Sequence, residues 1–148
     1  MSQLCLGTAV FGAALIAAPV LGYAQAVNLD NYTNFGKYEY RANCATCHGE
    51  QGKGDGPFNV LLKKQAADLT LLSKNNGGVF PVDRTSAIIS GTADVVGHGP
   101  RNMPVWGDYY KVQASAELDP SYKQTDVRSF VRARILALIE YISTLQAK

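Results

Sequence analysis

Residues 31–48 read NYTNFGKYEYRANCATCH. Gly36, Tyr40 and Cys44 recur every fourth residue and so fall on one face of a helix, for which Asn31 is a natural cap and residue 42 the approximate end. The helix leads into Cys44-Ala45-Thr46-Cys47-His48, a CxxCH motif, which is the attachment signature of c-type haem. The spacing has a physical basis. Residues three apart lie on one side of a helical turn, so two sulfurs reach the two vinyl groups along one porphyrin edge while the following imidazole swings under the iron.

Two other chemistries use such cysteines. A CxxC redox pair belongs with a βαβ pattern, and no strand pattern competes here. A zinc site wants four ligands, and beside Cys44 and Cys47 only His48 and His98 could supply nitrogen. Haem c needs the fewest additions.

Downstream, residues 49–57 (GEQGKGDGP) are too glycine-rich for anything but a loop, and residues 58–72 carry short helical pieces broken around Asp68-Leu69-Thr70. Asn75-Asn76-Gly77-Gly78 turns the chain, and Asp83 can cap a helix that points Ile88 and Ile89 inward and stops at Gly91. Residues 92–107 hold no period and read as an ordered loop whose purpose lies in its side chains. Val127, Phe130, Val131, Ile135, Leu138, Ile142 and Leu145 form a helical stripe over about residues 125–146.

Upstream, residues 4–21 are uncharged and apolar and are followed by Ala24-Gln25-Ala26, the small-residue pattern of a signal-peptidase site. Cleavage after Ala26 leaves residues 27–148 as the mature domain and places it in the periplasm. An uncleaved leader is just long enough to anchor the chain in the inner membrane. Cys5 lies within this leader, too early to become a lipid-modified first residue.

A chain of 148 residues, 47% apolar and 18% charged, suits one domain. Its net charge of +2 is far below the basic footprint of a nucleic-acid binder. Lys63, Lys64, Arg128, Arg132 and Arg134 read as solvated helix faces before they read as a docking patch.

The sixth iron position is narrowed by counting. The chain has two methionines, Met1 and Met103, and processing leaves one. Met103 sits beside Pro104 in the aperiodic loop rather than on a helical stripe, which favours a ligand over a gap-filling core residue. His98 as the ligand, or a site left open, are the alternatives that haem chemistry admits. Nearby, Trp106 is haem-packing core or a propionate donor, and Arg101 a propionate partner or an exposed loop charge.

The whole mature chain resembles the class I mono-haem c-type cytochromes. Gly36 and Tyr40 match the glycine and aromatic that precede the first cysteine in that family, and Leu138, Tyr141 and Ile142 match the L-x-x-Y-[LI] pattern of its C-terminal helix. Residues 52–57 match its GxGDGP loop, and residues 103–107 an MPxWG methionine context. The resemblance implies an all-α cytochrome c fold with crossed N- and C-terminal helices around one covalent haem. It also implies that the carbonyl of Pro57, or one beside it, accepts the Nδ1 proton of His48, and that Met103 closes the iron. The residues at 109–124 exceed the family's minimum. The implied function is one-electron transfer, without catalysis or substrate at the iron, between transient redox partner proteins. The alternatives are a haem subunit docked on a dehydrogenase or oxidase, membrane-attached if the leader stays, and an open-site haem enzyme or sensor.

Overall fold

The computed structural model describes residues 29–93, 103–121 and 123–148. The leader, His98 and Arg101 lie outside them. Five α-helices follow in order: α1 (Leu29–Asn43), α2 (Ala45–His48), α3 (Val82–Ser90), α4 (Trp106–Glu117) and α5 (Gln124–Thr144). Three short 3-10 turns, Pro57–Leu61, Leu69–Leu71 and Lys74–Asn76, lie between α2 and α3. Among the described residues there is no strand, and no helix is long and apolar enough to cross a membrane.

The α1 and α5 pair is the largest interface, followed by α4 and then α3 against α5. Its closest point is Gly36, buried on α1. A Cβ there would strike the carbonyl oxygen of Ala137 and stand 2.6 Å from its carbonyl carbon and 3.1 Å from Tyr141 Cβ. Only a hydrogen side chain permits this approach, which seats Leu138, Tyr141 and Ile142 in the core as the sequence pattern implied. The Tyr40 and Tyr141 rings meet at 5.2 Å between centroids, within the range where aromatic pairs attract.

The α5 stripe is wider than expected. Ile135, Leu138 and Ile142 are buried, and so are Ala137, Ile139 and Tyr141, because α5 packs against three helices rather than one. Its far end is tied down by Gln146, whose amide donates to the Leu69 carbonyl at 2.8 Å and accepts from the Ser73 amide at 2.8 Å.

The ordered loop expected to run to Gly107 ends earlier. Trp106 and Gly107 already belong to α4, which takes up most of residues 109–124. Its buried stripe is Gly107, Tyr110 and Ala114. Two of these three are too small to register as an apolar period, which is why the helix was not legible. Gly107 again buys proximity, since a Cβ would meet the Ser90 carbonyl oxygen at 2.5 Å. Helix α3 starts one residue before Asp83, which sits in its first turn, and closes on left-handed Gly91 as expected.

Candidate haem site

Helix α1 delivers the attachment turn. The Cys44 amide still bonds to the Tyr40 carbonyl at 2.8 Å, and the His48 amide returns to the Cys44 carbonyl at 2.9 Å. Cys44, Cys47 and His48 thus share a single turn. Tyr40, itself buried, locks the turn's end by donating its hydroxyl to the Gly49 carbonyl at 2.7 Å.

The two thiols are free. Cys44 is buried, and burial, reinforced by the charge of Glu39 and by Cys47, pushes its thiol up to about 12. A group kept neutral in an apolar seat suits conversion to a neutral thioether. Burial also lowers the pKa of His48, against the opposing effect of its bond to Ala67. Nδ1 of His48 lies 2.9 Å from the Ala67 carbonyl. A carbonyl can only accept, so Nδ1 carries the proton and Nε2 keeps the lone pair that a metal needs.

This corrects the expectation placed on Pro57. The carbonyl that meets His48 is Ala67's. Pro57 opens a 3-10 turn, and a carbonyl in such a turn is directed along its own axis toward the next residues. Residues 66–67 reach His48 because left-handed Gly54 leaves room, its would-be Cβ lying 3.2 Å from the Ala67 carbonyl carbon.

Asn59 holds this loop to the attachment turn. Its amide donates to the Cys47 carbonyl at 2.9 Å and to the Gly54 carbonyl, and its oxygen accepts from the Ala66 amide at 2.8 Å. Asn59 was not among the residues expected at the site. Its one signal is a polar residue inside the otherwise apolar run PFNVLL. Ala67 carries no signal at all, because it acts through its backbone.

Met103 and Trp106 pack against the same buried cluster that contains Cys44, beside Leu69, Leu72 and Phe80. Trp106 also meets Tyr109 edge-on at 5.4 Å. Cys44 and Met103 therefore both border one apolar cluster. Two unpaired thiols and a neutral imidazole on one turn, facing half-buried apolar walls, fit a covalently held haem.

Arg134 departs from its expected place on a solvated face. Its side chain is 13% exposed and bonds to Glu39, 3% exposed, and to Glu117 at 2.9 Å. Lys63, Lys64, Arg128 and Arg132 are exposed.

A comparison with curated proteins finds no match, and neither does one with solved structures. The family model described as Cytochrome C oxidase, cbb3-type, subunit III matches residues 33–118, more than half of the chain, from within the first turns of α1 to just past the end of α4. With the CxxCH turn and the helical fold of the described residues, this match makes the chain a member of that family of c-type cytochrome domains, an electron-transfer protein that carries covalent haem c.

Proposed function

We propose that the chain is an exported one-electron carrier, residues 27–148, in which Cys44 and Cys47 would hold the haem covalently and His48 and Met103 would be its iron ligands. The observation that carries this reading is the His48 tautomer, with Nδ1 committed to Ala67 and Nε2 left as a donor pair. The haem supplies a reversible ferric to ferrous change of one electron, taken from a donor protein and passed to an acceptor protein.

The polypeptide's tasks are to hold, shield and tune. Ala67 fixes the imidazole plane, and Asn59 fixes the loop that carries Ala67. Met103 is supported as the sixth ligand by its place against the Cys44 cluster, immediately before α4. A soft thioether from Met103 would favour the ferrous state and, together with His48, would leave the iron no place for a substrate. Trp106 packs the methionine side, and Arg101 is a candidate propionate partner.

Met103→Ala is expected to open the iron. The variant should bind CO, lose the long-wavelength absorption of a ferric thioether complex and show a lower potential. If His98 were the ligand, His98→Ala would produce these losses and Met103→Ala would not.

The family's own description favours a second reading, in which the domain is the haem subunit of an oxidase complex rather than a diffusing shuttle. The leader separates the two. Recovery of the exported protein in the soluble fraction, beginning at Val27, supports the carrier. Recovery in membranes with Ser2 or Met1 retained supports the tethered subunit.

A further inference from the structure

Helices α1, α4 and α5 meet around a charged group inside the core. The Glu39 carboxylate accepts from Arg134 Nη1, from the Tyr110 hydroxyl at 2.9 Å and from the Asn43 amide at 3.2 Å. The Arg134 guanidinium is enclosed by rings, 4.6 Å from the centroid of Phe130, 5.4 Å from Phe35 and 5.7 Å from Tyr110, all within cation–π range. Its second nitrogen reaches the half-exposed Glu117.

Stability alone is a weak reason for such a pair, because desolvating two ions costs several kcal/mol and apolar replacements often serve as well. Its position is more telling. Glu39 lies on α1 five residues before Cys44, which follows directly on that helix, and its partner Asn43 adjoins the cysteine. Tyr110 belongs to the buried cluster that also contains Cys44 and borders Met103. The carboxylate is felt at the attachment turn, where, after burial, it is the foremost influence on the Cys44 thiol.

We propose that Glu39 and Arg134 form a potential-setting pair, in which a buried anion and a buried cation of opposite effect hold the haem's reduction potential between the values either would impose alone. The ferric haem carries one more positive charge than the ferrous form. A buried anion beside it therefore favours the ferric state and lowers the potential, and a buried cation raises it. In this low-dielectric setting such a charge is screened far less than one at the surface. The proposal rests on the covalent haem and not on which side chain fills the sixth position.

The test is spectroelectrochemical titration of the purified holoprotein. Glu39→Gln keeps the shape and the acceptor oxygen but removes the anion. It should raise the potential by about tenfold in the ferrous to ferric equilibrium, or about 59 mV for one electron. Arg134→Lys keeps the charge and loses the fork, so it should lower thermal stability while leaving the potential near wild type. The Glu39→Gln/Arg134→Met double variant removes both charges and should return the potential toward wild type. Glu117→Gln, at a site half open to water, should shift it far less than Glu39→Gln.

A structural role predicts otherwise. Loosening the core and losing the axial thioether would lower the potential in Glu39→Gln, lower it further in the double variant, and admit CO. An unchanged or lowered potential in Glu39→Gln overturns the proposal, and so does a double variant that folds but moves further from wild type. If the double variant does not fold, Glu39→Gln and Arg134→Lys decide the matter between them.

Discussion

Replacing Cys44 and Cys47 together by alanine is expected to abolish covalent haem entirely. The wild-type protein should run on a denaturing gel as a band that stains for haem peroxidase activity, with an intact mass one haem above that of its polypeptide. The double variant should lose both the stain and the added mass. Each single variant should retain haem through one remaining thioether. The size of the effect follows from the chemistry, because the turn offers only these two sulfurs. The third cysteine, Cys5, lies in the uncharged apolar stretch of residues 4–21. A wild-type protein at the mass of the bare mature polypeptide would contradict the attachment.

The second large effect is expected at the helix crossing. Gly36→Ala adds one methyl group where the Ala137 carbonyl and Tyr141 Cβ already stand. Neither obstacle is the free end of a flexible side chain, so the helices must part. Overpacking of this kind costs about 3 kcal/mol or more, against which alanine's better helix propensity returns only about 1 kcal/mol. For a domain of this size each net kcal/mol lowers the melting temperature by roughly 4 °C. Thermal unfolding of the holoprotein followed by circular dichroism should therefore fall by on the order of 10 °C. A melting temperature within a degree or two of wild type would mean that α1 and α5 do not cross at Gly36.

These two results bear on the parts of the molecule that were legible in the sequence. The attachment turn could be read because its chemistry is local, with three reactive side chains in five residues. The crossing could be read because Gly36, Tyr40, Leu138, Tyr141 and Ile142 each sit where a known pattern has them, and all five are buried. The α3 stop at Gly91 was legible for a similar local reason, since a left-handed cap selects glycine.

What was not legible depends on contacts distant in sequence or on the backbone. Ala67 serves His48 through a carbonyl that every residue possesses. Helix α4 buries small side chains, so its stripe lacks the apolar weight that marks α5. Arg134 looks from its neighbours Arg128 and Arg132 like part of a solvated basic face. Only the fold brings Glu39, 95 residues earlier, beneath it. Pro57 was misassigned because a motif gives the order of residues but not which carbonyl the following loop presents.

A covalent haem c whose iron is closed by two protein ligands has a distinctive optical signature. Reduced-minus-oxidised optical spectra of the purified wild-type protein, recorded with and without CO, report the haem type and the sixth position together. The expected result is the spectrum of a low-spin haem c that is unchanged by CO. A spectrum that shifts on adding CO would mean an open or labile site, and would replace the closed carrier with a haem that binds ligands.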